Sequence, residues 1–554
     1  MQRNAAALLK EFRLFVTKMQ WEQFISQHDW DDLARLALSR ERLFGEVDDF
    51  DLALTTLECR RKLRNKVPEW WAVPSLRFPL RLSAEQCSSS ATARYKASVA
   101  LNACSGKRLA DLTGGLGVDS WAFAQVFDQV LYNEMQPALA DAARSNFAAL
   151  GLDNVTVRNS SLAPQSVMAD SDRSVMADSN RSVMADSDRP SPASAMADSD
   201  RSVMVDSDRP SPASVMADSD RPSPGATVAE ILNGFEPDIL FLDPARRSSD
   251  GRKVFRLEDC QPDVLTLLPE LLDACPLVLL KLSPMADITL VCKQLKCVKA
   301  VHVVAAEGEC KELLLLLERG YEGDHSITVY ENGSILEVDQ VQGTSGLGPK
   351  TSAGPGPSNV PPKGLEAIGA GPGPGDEIGP RPKKLWTRSK PEADEADVTD
   401  VADVADVADV AEPQGLRLLF EPGKALLKAG AFDLPCRYGL RKIGQHTHLY
   451  VSEDSVPDAL RPFGKCYQIL EVTELNNRKM KEIGKAFPMA EVTARNIPLT
   501  SEQLRVRMGV RSGGDVHVFG VQAAAGRYLL VCRRLRTAPV SGTIEPGPEG
   551  PEGN

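Results

Sequence analysis

The chain has 554 residues, 42% of them hydrophobic and 25% charged, and is therefore long enough for several domains with their own apolar cores. Lys10, Arg13 and Lys18 interrupt the only segment that resembles a signal peptide, and no run of 18 uncharged apolar residues follows. The 11 cysteines are scattered without CxxC spacing, a pattern that favours neither a zinc site nor a disulfide framework. We therefore predict a cytoplasmic protein without a membrane span and without a metal.

The net charge of −12 is concentrated in two segments of low complexity. Residues 164–224 iterate SVMADSDR and hold 11 Asp against 6 Arg, and residues 391–412 hold nine acidic residues and no basic one. Because these segments account for −14, the rest of the chain is near +2, and the overall acidity does not exclude a nucleic-acid partner. Short repeats without an apolar face cannot form a core, so we expect disorder in the insert 164–224, the linker 340–412 and the tail 536–554. The insert is either a partner-binding array or, as we favour, an expanded repeat tolerated in a surface loop.

The remaining sequence divides into three regions. Residues 1–75 space their apolar residues as helices do, for example at Leu8, Leu9 and Phe12. Residues 76–330 form the second region, in which short apolar runs alternate with helical stretches from residue 107 onward. This alternation predicts an α/β domain with a parallel sheet and a ligand site at the carboxyl ends of its strands. Residues 413–535 have a mixed α+β pattern.

Three successive strand ends carry residues suited to a nucleotide-like cofactor. The first, in ADLTGGLGVDS, joins Asp111 to a turn whose glycines allow close approach of the backbone to a ligand. The second ends in Glu134, about 20 residues after the turn, where a carboxylate can accept hydrogen bonds from ribose hydroxyls. The third offers Asn159 and Ser160 to an adenine edge. The turn glycines, which lack the G-x-G-x-x-G spacing of nicotinamide sites, are Gly114, Gly115 and Gly117.

This order of motifs resembles the class I S-adenosylmethionine-dependent methyltransferases. The resemblance rests on Asp-x-x-x-Gly-x-Gly at 111–117, an acid ending the second strand and Asp-Pro ending the fourth, and it covers roughly residues 107–320 apart from the insert. It implies a Rossmann-like sheet and S-adenosylmethionine as the cofactor, bound by the residues at the first three strand ends.

The fourth strand ends in FLDPARR, where these enzymes hold the methyl acceptor. Enzymes that methylate exocyclic amines resemble Asp/Asn-Pro-Pro-Tyr at this point, so Asp243 and Pro244 fit. Ala245 and Arg246 depart from that pattern, although a guanidinium plane can still stack on a base. The resemblance implies catalytic roles for Asp243, Pro244 and Arg246, and contacts of Arg247 and Lys281 with base or phosphate. The alternative is a solvated turn in which the arginines pair with nearby acids.

RNA 5-methyluridine methyltransferases offer a second comparison, because their fourth strand can also read Asp-Pro-Ala-Arg. Those enzymes use a cysteine on the turn after the fifth strand, here LLKLSPMAD, where alignment places Leu282 instead. Cys275 and Cys292 lie in neighbouring stretches, not on the turn. Without a thiolate, covalent addition to carbon is not available, and the sequence favours direct transfer.

The carboxyl-terminal region is basic. Residues 461–535 hold 13 Lys and Arg against 6 Asp and Glu, a balance typical either of a nucleic-acid-capturing module or of an ordinary basic surface. With EQCSSSATARYKA, EPGKALLKAGAF and ARNIPLTSEQLRVR, the chain resembles bacterial, Bacteroidetes-type class I methyltransferases that carry a ferredoxin-like segment, here 413–460, and a THUMP-like domain, here 461–535. This resemblance implies an RNA methyltransferase acting on tRNA or rRNA, by our interpretation at a base nitrogen. The alternative is an RNA-binding adaptor that keeps the fold without catalysis.

Overall fold

The structure, a computed structural model, describes residues 21–43, 47–163, 225–246, 257–338 and 415–535. The insert 164–224, the linker 340–412, the tail 536–554, Arg247 and the apolar positions 8–16 lie outside these residues, and only the backbone of Arg246 is described. The chain divides into two compact units. Unit 1 comprises Met1–Gln340 and Lys424–Gly430, and unit 2 comprises Val341–Gly423 and Ala431–Asn554.

The described part of unit 1 begins with helices. Asp32 and Asp49 cap two of them, because each side chain accepts backbone N–H groups that have no partner within the helix. A buried ion pair between Arg60 and Asp29, with Nε and Oδ1 2.8 Å apart, links the longest of these helices to the segment before α2. The helices are α1 (Trp21–His28), α2 (Leu33–Leu38), α3 (Arg40–Leu43), α4 (Phe50–Lys66), α5 (Pro68–Trp71), α6 (Arg81–Gln86) and α7 (Ser90–Ala103).

From residue 108, strands and helices alternate through the rest of unit 1. They are β1 (Arg108–Asp111), α8 (Val118–Ala124), β2 (Gln129–Asn133), α9 (Pro137–Ala149), β3 (Val155–Arg158), β4 (Ser161–Leu162), β5 (Gly225–Ala226), α10 (Val228–Leu232), β6 (Ile239–Leu242), β7 (Ala245–Arg246), β8 (Cys260–Gln261), α11 (Val264–Ala274), β9 (Leu277–Leu282), α12 (Ile288–Leu295), β10 (Val298–Ala306), β11 (Glu309–Glu318), β12 (Ser326–Glu331) and β13 (Ser334–Val338).

Within the described ranges, nine of these strands form one sheet in the order β13-β12-β10-β11-β9-β6-β1-β2-β3. The five strands β3, β2, β1, β6 and β9 are parallel, and β11 runs antiparallel to both of its neighbours. The chain moves outward from β1 to β3 and then returns to place β6 on the other side of β1. This is the doubly wound order, and ligands bind where it reverses, outside the carboxyl ends of β1 and β6. The predicted Rossmann-like α/β fold is confirmed.

The core of unit 1 packs helices α7 and α8 and the aromatic residues before them against the sheet. Trp70 stacks on Phe78, and Phe123 meets Phe241 of β6 edge-on, with ring centroids 6.1 and 5.0 Å apart. These buried rings fix the sheet beneath the strand ends that the sequence singled out.

Unit 2 contains β14 (Leu418–Pro422), α14 (Leu434–Arg437), β15 (Arg441–Gly444), β16 (Thr447–Ser452), β17 (Gly464–Glu474), α15 (Asn477–Ala486), β18 (Glu491–Arg495), α16 (Ser501–Met508), β19 (Val516–Gln522) and β20 (Arg527–Arg534). In the described part of this unit, seven strands form one sheet, β15-β16-β14-β17-β20-β19-β18. Met480 and Ile483 of α15 and Leu504 of α16 pack in one core against one face. Helix α13 (Lys424–Lys428) belongs to unit 1, where it packs on β10, β11 and β12.

The insert 164–224 begins and ends at adjacent points of unit 1. Leu162 of β4 pairs with Ala226 of β5, and the Ala163 amide donates to the Ala226 carbonyl at 3.0 Å. The chain therefore leaves and re-enters the domain side by side, which is the geometry of an insertion that can be shortened.

We expect deletion of residues 166–221, with a short Gly/Ser linker in their place, to leave unit 1 folded. The β4–β5 pairing holds the joined ends together, and loop-closure free energy changes by only about 0.6 kcal/mol per halving of loop length. Circular dichroism and thermal unfolding of the shortened chain check this. Insoluble protein, or a melting temperature more than about 8 °C lower, would show that the repeats stabilise the domain.

Candidate active site at the carboxyl edge of the sheet

Three predicted site residues meet where the parallel strands end. Asp111 is the last residue of β1 and pairs in register with Tyr132 of β2 and Phe241 of β6. Glu134 directly follows β2, and Asp243 directly follows β6. Because the register is fixed by this pairing, residues more than 100 positions apart in the chain share one edge.

These strand ends border a cavity of about 340 Å³, within the size range of small-molecule sites. The predicted residues that line it are Asp111, Gly114, Gly115, Gly117, Glu134, Ser160, Asp243 and Lys281.

The other four predicted residues are not among the lining residues that the structure describes. Asn159 and Pro244 are not part of the cavity lining. The side-chain amide of Asn159 donates to the Glu134 carbonyl at 2.6 Å, so Asn159 supports the second strand end. Arg246 pairs through its backbone with Cys260, and Arg247 lies outside the described residues. For all four residues the predicted role at the cofactor or the acceptor stays a prediction.

The glycine turn after β1 is shaped by Tyr132. A Cβ on Gly114 would lie 2.1 Å from the Tyr132 ring, so a side chain has no space there. The Tyr132 hydroxyl donates to the Gly115 carbonyl at 2.6 Å. Gly115 and Gly117 have φ values of +56° and +93°, in the left-handed region that favours glycine. The buried ring thus holds the turn against the end of β2.

Glu134 anchors this turn from the second strand. Its Oε2 accepts the Gly115 amide and its Oε1 accepts the Gln136 amide, both at 2.8 Å. Burial raises the pKa of Glu134, and the backbone hydrogen bonds oppose that rise. Each carboxylate oxygen has a second lone pair, so a hydroxyl in the cavity can still donate to it.

Asp111 is fully buried at the end of β1. Its Oδ1 accepts the Thr113 amide at 3.1 Å and its Oδ2 accepts the Ser120 hydroxyl at 2.5 Å. Burial raises the pKa of Asp111 to about 7, although both hydrogen bonds act in the opposite direction. Asp111 therefore changes charge near neutral pH.

Asp243 forms an ion pair with Lys281 of β9. Lys281 Nζ lies 2.5 Å from Asp243 Oδ2, and the Asp243 amide donates to the Thr113 hydroxyl at 2.6 Å. The side chain of Asp243 is 38% exposed, whereas that of Lys281 is 12% exposed. Lys281 and Thr113 therefore fix the position of Asp243, and part of the Asp243 carboxylate is exposed to the cavity. The charge of Lys281 is neutralised by this ion pair.

Behind this pair lies a group of buried polar and charged side chains that the sequence analysis missed: Ser88, Lys96, Asp119 and Glu312. Lys96 Nζ donates to Glu312 Oε1 at 2.6 Å and to the Ser88 hydroxyl at 2.9 Å, and it lies 3.2 Å from Asp119 Oδ1. Glu312 Oε2 is 3.7 Å from Lys281 Nζ. A charged residue inside an apolar pattern was the available signal: Glu312 opens the run ELLLLLE, and Lys96 lies among the buried positions of α7.

Among the described cysteines, Cys87 lines the cavity. Its thiol donates to the Ala84 carbonyl at 3.3 Å, and burial raises its pKa. Cys275 is buried against the Pro237 carbonyl, and burial raises the pKa of Cys292 to about 11. Raised pKa values disfavour the thiolate that nucleophilic catalysis needs.

Among the described residues, no group of His, Cys, Asp and Glu side chains is arranged to hold a metal ion. No helix in the described part of the chain has the length and apolar character needed to cross a bilayer.

Comparison with known proteins supports the fold and the domain order. Residues 418–458 match the ferredoxin-like domain family, and residues 464–534 match the THUMP domain-like family. A search of curated proteins finds no match. Among solved structures, the chain is similar to a protein of Porphyromonas gingivalis W83 that is provisionally described as a methyltransferase. The TM-score is 0.57 and the identity 24%, over 93% of this chain and 97% of that chain.

Two other structures are less similar. MtNAS in complex with MTA and tNA has a TM-score of 0.23 and 13% identity over 57% of this chain and 89% of that chain. A provisionally described RNA methyltransferase of Pyrococcus horikoshii has a TM-score of 0.19 and 12% identity over 37% of this chain and 65% of that chain. Scores this low carry no argument, so the fold assignment rests on the Porphyromonas protein.

The chain thus has a methyltransferase-type Rossmann fold, followed by a ferredoxin-like and a THUMP-like domain. The resemblance to Bacteroidetes-type proteins of this composition, predicted from the sequence, is confirmed.

The raised pKa of Asp111 predicts a specific dependence of stability on pH. Between about pH 4 and pH 7 the folded state keeps the Asp111 proton that the unfolded state releases, so the free energy of unfolding should fall as pH rises. Asp111→Asn lacks this proton and keeps an acceptor for the Thr113 amide. Between about pH 4 and pH 7, the free energy of unfolding of Asp111→Asn should therefore rise by on the order of 3–4 kcal/mol relative to that of the parent chain. Urea unfolding of both proteins, followed by tryptophan fluorescence, measures the difference; parallel pH profiles would contradict it.

Proposed function

We propose that the chain is an S-adenosylmethionine-dependent methyltransferase that transfers a methyl group to a base nitrogen of RNA, in the cytoplasm. The observation that carries this proposal is the meeting of Asp111, Gly115, Glu134 and Asp243 in one cavity at the point where the strand order reverses. The resemblance assigned Asp111, the glycine turn and Glu134 to cofactor binding, and it assigned Asp243 to the methyl acceptor. The likeness to the Porphyromonas protein described as a methyltransferase supports the same class.

The residues of the cavity fit this cofactor. The lining contains four carboxylates and one ammonium group, an excess of negative charge that favours a sulfonium cation. The glycine turn brings backbone to the cavity wall, and Glu134 can accept from ribose hydroxyls while it holds the turn. When bound, S-adenosylmethionine supplies an electrophilic methyl group on a positively charged sulfur.

The chain itself would act by positioning. The exposed part of the Asp243 carboxylate accepts hydrogens from an acceptor amine and so orients the nitrogen lone pair, while Lys281 holds the carboxylate in place. The neutralised charge of Lys281 and the surrounding acids disfavour an anionic acceptor. A neutral amine on a nucleobase is the acceptor that best suits this surface, and direct transfer needs no thiolate.

Unit 2 supplies the expected contact with RNA. Within the THUMP domain-like match, residues 464–534, basic residues exceed acidic ones by six. On α15, Lys481 and Lys485 are exposed, one helical turn apart, and neither forms an ion pair with the residues that the structure describes. Arg478, on the same helix, is instead paired with Glu482 at 2.8 Å. Two unpaired cations on one face are suited to phosphate contacts.

Reversing both charges, in Lys481→Glu/Lys485→Glu, should weaken RNA binding by about tenfold or more. The slope of log K against the logarithm of salt concentration should become less steep by about 1–2. Fluorescence anisotropy with labelled bulk tRNA at several salt concentrations gives both quantities. Arg478→Ala is the matched control, because its charge is already paired, and it should bind nearly as the parent chain does. Equal binding by the double variant and the parent would exclude this face of α15 from the RNA contact.

Asp243→Asn tests the acceptor site. Asparagine keeps the size and one acceptor oxygen but removes the charge that pairs with Lys281, and Glu312 and Asp119 remain as partners, so folding should survive. We expect transfer to slow by about 30- to 150-fold, the effect of one lost charge-assisted hydrogen bond, with little change in cofactor affinity.

Two measurements separate the transfer rate from the cofactor affinity. The rate is measured as methyl transfer to RNA from cells that lack the chain, and the affinity is measured by calorimetric titration with S-adenosylmethionine. A full rate in Asp243→Asn would make Asp243 a structural residue. A parent chain that binds RNA but no cofactor would be the adaptor that the sequence left as the alternative.

A further inference from the structure

A continuous series of charged side chains runs from the interior of unit 1 to Asp243. Lys96 contacts Glu312 at 2.6 Å, Glu312 lies 3.7 Å from Lys281, and Lys281 lies 2.5 Å from Asp243. Asp119 flanks the series, 3.2 Å from Lys96 and 4.0 Å from Lys281. We call these five residues the charge network.

The network joins elements that are distant in the chain. Lys96 is on α7, Asp119 on α8, Lys281 on β9 and Glu312 on β11, and 216 positions separate Lys96 from Glu312. Lys96 has no exposed surface at all. A buried ion pair is often no more stabilising than an apolar pair of the same size, so stability alone does not account for five charges in this place.

The network ends at one exposed group. Exposure of the side chains rises from 0% at Lys96 and 5% at Glu312 to 12% at Lys281 and 38% at Asp243. Lys96 and Glu312 do not line the cavity, so any effect they have on a ligand must pass through the lining residues that they contact. Glu312 contacts Lys281, which holds Asp243, and Lys96 also contacts Asp119 and Ser88.

We propose that Lys96 and Glu312 are positioning residues for methyl transfer, acting through Lys281 on Asp243. Lys96 holds Glu312 Oε1, which leaves Oε2 turned towards Lys281. Glu312 and Asp119 then fix the Lys281 ammonium beneath Asp243, and the Asp243 carboxylate is held in one orientation towards the acceptor. The catalytic part of this inference rests on the proposed function, but the coupling between Glu312 and Lys281 does not.

The charge state of Lys281 reports this coupling. Burial alone would lower the pKa of Lys281, but the carboxylates of Asp243, Glu312 and Asp119 outweigh burial and raise it. The other titratable groups that face this region are Lys96, Cys87 and, at the end of β1, Asp111. Removing the charge of Glu312 should therefore favour the free amine of Lys281.

The experiment compares Glu312→Gln with the parent chain. Competitive labelling with acetic anhydride, read by mass spectrometry for each lysine as a function of pH, measures the free amine at Lys281 without any substrate. We expect Lys281 to react about tenfold faster at pH 9 in Glu312→Gln, which corresponds to one pH unit in its titration. Lys299, exposed on β10, serves as the internal reference in both proteins.

The same variant is then assayed for transfer to RNA from cells that lack the chain. We expect a rate about 10- to 100-fold lower, unchanged cofactor affinity, and an alkaline limb of the pH–rate profile displaced to lower pH. Asp29→Asn is the matched control: it breaks the buried Arg60–Asp29 ion pair of unit 1, away from the cavity lining, and should leave the Lys281 titration and the pH–rate profile unchanged.

Lys96→Met/Glu312→Gln provides a second variant if Glu312→Gln does not fold, because it removes both charges of the inner pair and leaves neither unpaired. It should change Lys281 labelling in the same direction but by a smaller factor, because loss of the Lys96 ammonium removes a positive charge that shares Asp119 with Lys281. Identical Lys281 labelling in the parent chain and a folded variant would overturn the coupling, and an unchanged rate and pH profile would overturn the positioning role. Absence of transfer by the parent chain would refute the proposed function, while the labelling result would still decide the coupling.

Discussion

The pairing of β1 with β2 on one side and β6 on the other is the constraint on which the site depends. It places Asp111 beside Tyr132 and Phe241 and so brings three strand ends to one edge. Backbone bonds continue the pairing beyond the strands: the Leu112 amide donates to the Phe241 carbonyl at 3.0 Å, and the Gly114 amide donates to the Asn133 carbonyl at 2.7 Å. A shift of register by one residue would turn Asp111 away from the cavity and separate the glycine turn from Glu134.

This geometry buries several charged side chains beside the cavity, and these side chains determine its charge. Tyr132 and Glu134 hold the turn, Asp111 is removed from water, and Lys281 stands among three carboxylates. Each of these groups would be costly to bury alone, and each has a hydrogen-bonded or charged partner. The result is a small cavity with more carboxylates than ammonium groups, which suits a cationic cofactor and a neutral acceptor better than it suits a phosphate.

The sequence predicted the residues that lie at strand ends and missed those that act across the sheet. Asp111, Glu134 and Asp243 each follow an apolar run, so local pattern and the rules of parallel sheets place them at one edge. Lys96 and Glu312 meet only because α7 packs next to β11, a contact between residues far apart in the chain that no local pattern encodes. The pairing of Lys281 with Asp243 was missed for the same reason. The sequence also did not predict that the Asn159 amide donates to the Glu134 carbonyl, because a strand-end residue can face either the ligand or the neighbouring strand. The contact of Asn159 with adenine stays a prediction.

The most direct test of the central claim is a crystal structure of the chain with S-adenosylhomocysteine. We predict that the ribose hydroxyls lie within hydrogen-bond distance, about 2.6–3.2 Å, of the Glu134 carboxylate, and that the homocysteine sulfur lies on the side of the cavity that holds Asp243. Such a structure would tie both carboxylates to one reaction. A nucleoside bound elsewhere on unit 1, or a cavity that remains without ligand at saturating concentration, would contradict the assignment of this edge of the sheet as the cofactor site.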